Sequence, residues 1–197
     1  MPGANGILDM RGDAVAEATF RFPDSWTEAD LDALPDDGHR FEIVDGSLLV
    51  TPPVKDDHQG IGMNLAILLR QAAPKGWRVL YEVGVRVPGG NLIPDIVVLK
   101  PGSARGVEWR EASDVALVVE IASKSTEATD RSLKAIKYAE AGVPAYWRVA
   151  RDGAVTIHTL VDEAQYGITD IIKPGSVVAV TYPFPVSLDP AALVSGL

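Results

Sequence analysis

The sequence predicts an α/β domain, bordering on α+β, with a mixed β-sheet flanked by two main helices and an N-terminal hairpin. Three observations carry this. Residues 93–99 and 115–121 are apolar with little alternation, as strands are when both faces of their sheet are covered. Residues 57–73 and 129–141 show helical patterning, and two apolar pairs of segments are joined through Asp-Gly, at Asp45-Gly46 and Asp152-Gly153.

The elements follow in order. Residues 1–22 have no sustained period and read as a loose arm. In Asp24 to Pro35, Ser25 or Thr27 offers a cap, acids fill the first turn and a proline stops the run, so a short helix is expected. Phe41–Val44 and Leu48–Val50 around Asp45-Gly46 form a type I′ hairpin. Ile61, Leu65, Leu68, Leu69 and Ala72 make residues 57–73 an amphipathic helix despite Gly60 and Gly62, closed by Pro74. Strands are expected at 77–87, 93–99 and 115–121, the last near the sheet centre. A second helix covers 129–141 and ends at Gly142 with Pro144 beyond. Tyr146–Val149 and Val155–His158 form a second hairpin, and Val177–Val180 one more strand. Pro183 and Pro185 discourage regular structure afterwards. The domain reading is therefore an arm over 1–22, one domain over 23–182 and a tail over 183–197.

Composition bounds the function. The 197 residues are 47% hydrophobic, enough for one sizeable core. Cysteine is absent, which fits a reducing compartment, and the N-terminus lacks a basic start and apolar run. A cytoplasmic location is expected. The net charge of −9 opposes nucleic-acid binding, but it is unevenly spread: residues 1–37 carry nine acids and two bases, residues 121–151 six bases and three acids. A basic patch of that kind can steer a polyanion when the acidic segment lies elsewhere.

The chemistry points to two carboxylates on apolar strands, Asp95 in Ile93-Pro94-Asp95-Ile96-Val97-Val98 and Glu120 in Val118-Val119-Glu120-Ile121. Holding an ionised carboxylate among such neighbours is costly unless a positive partner offsets it, and a divalent cation is the strongest available. With Phe41-Glu42-Ile43-Val44-Asp45-Gly46, the run from Asp130 to Tyr138, and Gly142-Val143-Pro144-Ala145-Tyr146-Trp147, these segments resemble the Uma-two family of restriction-endonuclease-like proteins in the PD-(D/E)XK nuclease superfamily. The similarity spans about Trp26 to Leu160.

The resemblance implies a Mg2+-dependent endonuclease acting on DNA, with Mn2+ as a possible substitute. Asp95 and Glu120 would be metal ligands and a lysine would position or activate the attacking water. The superfamily lysine stands two residues after the glutamate, where this chain has Ala122. Relatives commonly carry it on the next helix, where Lys134 lies. Asp130, Lys134 and Tyr138 share a helix face at i, i+4, i+8, and an ion pair of Lys134 with Asp130 is the alternative. Lys124 is a second candidate by period two from Glu120. Glu42 and His58 match family positions as accessory residues, Ser47 stands where relatives have an acid, and Lys124, Arg131 and Lys137 are candidate substrate contacts. Tyr81, Trp109, Tyr146 and Trp147 suit base stacking or, better, packing. A homodimer is plausible from two apolar hairpins. The rival reading is an inactive nuclease fold binding nucleic acid or protein. A metal-free glycosidase using paired carboxylates is a third, in which the helix lysine would be idle.

Overall fold

The computed structural model describes residues 23–122 and 130–197. The expected arm over 1–22, Lys124, and the side chains of Asp130 and Arg131 lie outside the described residues. The architecture is α+β, with mixed sheets and few helices.

Its centre is a six-stranded sheet. The strands β3 (Arg78–Tyr81), β6 (Ile96–Leu99), β8 (Val115–Ile121), β9 (Ala145–Val149), β10 (Val155–Asp162) and β11 (Gln165–Ile172) lie in the order β11-β10-β9-β8-β6-β3. All pairs are antiparallel except β8 and β9, which run parallel because α3 (Asp130–Glu140) crosses between them. The seven residues of β8 are expected as a central strand and are so placed.

Side-chain alternation sorts the two faces of this sheet. Ile96, Val98, Leu117, Val119 and Ile121 face α2 (Asp56–Ala72), whose Ile61, Leu65 and Leu69 pack against them. Val97, Leu99 and Val118 face the other way, toward Tyr138 of α3 and toward Val85, Val87 and Leu92 of a second sheet. That sheet holds β1 (Arg40–Val44), β2 (Ser47–Thr51), β4 (Gly84–Val87), β5 (Gly90–Leu92) and β7 (Trp109–Glu111) in the order β2-β1-β5-β4-β7. The Asp45-Gly46 turn has positive φ at both residues, 47° and 76°, as a type I′ hairpin requires. The short helix α1 (Glu28–Leu31) is fixed by Glu28, which accepts from Arg86 Nε at 2.7 Å and Asn91 Nδ2 at 2.7 Å.

Three expectations are corrected. The single strand over 77–87 is two strands in different sheets, because Glu82 takes a φ of 49° between β3 and β4. Residues 93–95 are irregular, and β6 begins only at Ile96. After Pro183 the chain is ordered rather than irregular: β13 (Val186–Leu188) pairs with β12 (Val178–Val180), α4 (Pro190–Leu193) follows, and Phe184, Val186, Leu188 and Leu193 enter the core on the α2 side. Among the described residues no helix is long and apolar enough to cross a membrane.

Candidate active site

The register of β6 against β8 places the two principal carboxylates together. Ile96 pairs with Val119, so one step outward sets Asp95 opposite Glu120 on the same side of the sheet. This is the side that faces α3. Asp95 is almost wholly buried just before β6, while the Glu120 side chain retains 16% exposure.

Each acid is held by a different set of partners. Asp95 Oδ2 accepts from the Ile121 backbone N–H at 2.7 Å and lies 3.3 Å from His58 Nε2, which reaches in from the first turn of α2. Its Oδ1 accepts from Arg40 Nη1 at 3.1 Å. Burial opposes ionisation here, yet His58, Arg40 and the Ile121 N–H together hold the carboxyl below the usual aspartate range. Glu120 Oε1 accepts from Tyr138 Oη at 2.9 Å and lies 3.6 Å from Lys134 Nζ. Burial, reinforced by Asp95 and Glu42, outweighs Lys134 and Arg40 and pushes Glu120 up to about 7.

Glu42 is fully buried on β1, and its Oε1 accepts from the Ile93 backbone N–H at 2.7 Å. Its two oxygens also lie 2.8 and 2.7 Å from Lys134 Nζ. Lys134 therefore bridges Glu42 and Glu120 from α3. Burial alone would lower its pKa, but the two carboxylates outweigh burial and raise it, so the ammonium stays charged. Tyr138, one turn further on, is buried; burial and the nearby Glu120 and Glu42 raise its pKa, so it remains a donor.

Of the expected residues, the structure thus brings together Asp95, Glu120, Lys134, Glu42, His58 and Tyr138. Lys134 pairs with Glu42, 92 positions away in sequence, where Asp130 had been the alternative partner. Lys137 is directed elsewhere, to Asp45 at 2.7 Å in the hairpin turn and to Glu140 at 3.0 Å. Trp147 and Tyr146 are core residues, as packing rather than stacking predicts. Ser47 is exposed.

Sequence reasoning missed Arg40. It pins Asp95 through Nη1, donates from Nη2 to Glu82 at 2.6 Å, and also donates to the Ile93 carbonyl at 3.1 Å. Its signal was available, since Arg40 precedes Glu42 by two on β1 and so lies on the same strand face.

The donor set suits a small hard cation. Four carboxylates, Glu42, Glu82, Asp95 and Glu120, meet two permanent cations, Arg40 and Lys134, with His58 beside Asp95. Among the described residues no group of three or more His, Asp or Glu forms a ready-made metal cage. Mg2+ does not need one, because it commonly takes one or two carboxylates and completes its octahedron with water and substrate oxygens.

The family model described as "Uma2: Putative restriction endonuclease" matches residues 28–192. The chain belongs to the Uma2 family. The fold is also similar to a crystal structure from Anabaena variabilis ATCC 29413, described as "a putative nuclease belonging to DUF820", with a TM-score of 0.67 and 16% identity, covering 85% of this chain and 96% of that one. At that identity the likeness establishes the fold. No curated protein matches the chain. In this Uma2 protein Asp95 and Glu120 stand opposite one another at neighbouring strand ends, Ala122 follows Glu120 by two residues, and Lys134 approaches Glu120 from α3.

Proposed function

We propose that this Uma2 protein is a Mg2+-dependent endonuclease that hydrolyses DNA phosphodiester bonds at the Asp95–Glu120–Lys134 cluster. The observation that carries the reading is the placement of Lys134 Nζ 3.6 Å from Glu120 across from Asp95, two strand acids and a helix cation at one sheet end. Family membership supports nuclease chemistry, while the metal and the DNA substrate belong to the proposal.

Asp95 and Glu120 would hold the ion, with Mn2+ an expected substitute. Bound there, Mg2+ would supply charge neutralisation at the phosphate and a more acidic water. The chain's own residues do the rest. Arg40, His58 and the Ile121 N–H fix Asp95, and Tyr138 fixes Glu120, so neither acid must reorganise when substrate arrives. Lys134, kept protonated by Glu42 and Glu120, acts as a hydrogen-bond donor that orients the attacking water and stabilises charge growing on the phosphate oxygens; it is not a base.

Two observations favour the second reading, an inactive binding module. Both Asp95 oxygens already have protein partners, and Lys134 is closer to Glu42 than to Glu120. Supercoiled plasmid incubated with Mg2+, Mn2+ or chelator separates the two. The wild type is expected to nick with metal and stop with chelator, and Asp95→Ala, Glu120→Ala and Lys134→Ala are expected to lose at least 100-fold, on the scale of removing a transition-state charge partner. Metal-dependent nicking that survives in Asp95→Ala or Glu120→Ala would reject the assignment. Absence of calorimetric Mg2+ uptake in the wild type would favour the binding module.

A further inference from the structure

Behind His58, on the α2 side of the sheet, lies a groove of about 600 Å3. That is within the range that receives a nucleotide-sized ligand. His58 forms its wall toward Asp95, because the same imidazole lines the groove and lies 3.3 Å from Asp95 Oδ2. His58 is buried to more than nine-tenths, and among the described residues its Nδ1 has no hydrogen-bond partner. Ala122, two residues beyond Glu120, lines the groove as well. The groove therefore shares the His58 ring with the carboxylate cluster, while Asp95, Glu120 and Lys134 are not among its lining residues.

Its lining is divided chemically. Pro52, Pro53 and Val54 come from the segment after β2, with Val194 and Leu197 from the C-terminal end, and these give an apolar surface. Two cations, Lys55 and Arg151, share it with one carboxylate, Asp57. Arg40, Lys134 and Lys137 are each committed to carboxylates. Lys55 and Arg151 are different: both are exposed, and among the described residues neither forms an ion pair or hydrogen bond through its side chain. In a chain of net charge −9, two cations that make no ion pair among the described residues, in an apolar cleft lined by a single carboxylate, call for an anionic ligand with an apolar part.

We propose that this groove is the subsite for the nucleotide adjoining the scissile phosphodiester, with its base and sugar on the Pro52–Val54 surface and its phosphates against Lys55 and Arg151. The inference rests on the nuclease reading for its substrate class, and it makes Lys55 and Arg151 substrate-positioning residues. Phosphate contacts by lysine and arginine supply sequence-independent affinity and make it depend on salt, by roughly 0.7–0.9 in the logarithmic slope per contact. An apolar cleft offers a base and sugar contact area without selecting among bases by hydrogen bonds.

The test is fluorescence anisotropy with a fluorescein-labelled 20-nucleotide DNA, single-stranded and duplex, in EDTA and in Ca2+, alongside plasmid nicking in Mg2+. The double variant Lys55→Ala/Arg151→Ala is expected to weaken binding at least tenfold and to lower the salt slope by about 1.4 to 1.8. Val54→Trp, which fills the cleft without changing charge, is expected to weaken binding several-fold. The control Arg70→Ala/Lys75→Ala removes two cations elsewhere and is expected to stay within twofold. Binding by the double variant and by Val54→Trp that matches the wild type would overturn the groove, and so would displacement of the DNA by poly-L-glutamate at equal charge concentration. Wild-type nicking with unaltered variants would remove the subsite and leave the nuclease reading intact. Groove-dependent binding without any nicking would keep the groove as a DNA-binding surface and remove both the nuclease reading and the placement of a scissile bond beside it.

Discussion

At Glu120, burial and two neighbouring carboxylates work against ionisation while Lys134 and Arg40 work for it, and the balance leaves the carboxyl pushed up to about 7. In the unfolded chain the same group titrates near 4.5. Between those values the folded metal-free protein binds more protons than the unfolded one, so stability is fully present below about 4.5 and is lost as pH rises to about 7. The expected loss attributable to Glu120 is on the order of 3 kcal/mol. Urea midpoints measured in EDTA from pH 4.5 to 8 are expected to show this decline in the wild type and a flatter profile in Glu120→Gln, which keeps the shape and drops the charge. Parallel profiles would show that Glu120 does not carry the uncompensated charge. The residues of this cluster were unequally legible. Asp95 and Glu120 stood out because an acid inside an apolar run is chemically expensive, whereas Arg40 sits in an ordinary polar setting next to Phe41 and shows its role only once β1 is laid beside the 93–95 segment.

The helix α2 shows how the same residue type can act in opposite ways within one element. Gly60 and Gly62 both weaken an isolated helix relative to alanine, by roughly 1 kcal/mol each. A Cβ on Gly62 would stand 2.7 Å from Tyr81 Oη and 3.1 Å from Ile121 Cδ1, inside the packed interface with the central sheet. A Cβ on Gly60 would meet only the end of Leu197, a side chain 55% exposed and able to move aside. Gly60→Ala is therefore expected to raise the melting midpoint slightly, and Gly62→Ala to lower stability by about 1–3 kcal/mol despite its better helix propensity. The second variant also lifts α2 from the sheet and with it His58, so it should lose activity beyond its stability loss. Equal and positive shifts for the two variants would contradict this packing. Helices and hairpins of this kind were readable because their signals are local. The division of 77–87 into β3 and β4 was not, since Glu82 at positive φ is held by Arg40 from β1 and by its own N–H donating to the Asp95 carbonyl at 3.0 Å, two contacts remote in sequence.

Across the whole molecule, the order β11-β10-β9-β8-β6-β3 and the second sheet that covers β6 and β8 could not be inferred from spacing, because they depend on which apolar faces meet rather than on any local pattern. The C-terminal segment is the sharpest instance. Pro183 and Pro185 and a scatter of single apolar residues suggest a tail, yet Phe184, Val186, Leu188 and Leu193 are each 6% exposed or less and pack with Leu65, Leu69 and the central strands. The prolines flank Phe184 just before β13 and interrupt no ladder, so they restrict the chain without costing it strand hydrogen bonds. Burying side chains of this size contributes roughly 1.5–3 kcal/mol each, and four of them together are comparable with the 5–15 kcal/mol net stability of an ordinary domain. A chain ending at residue 182 should consequently fail to fold cooperatively, giving no sharp thermal transition and poor amide dispersion by NMR. The variant Phe184→Ala in the full chain should fold but lose about 3–5 kcal/mol, as removal of a buried phenyl ring does. A truncated protein that melts at the wild-type temperature would show that these residues cover the core without supporting it.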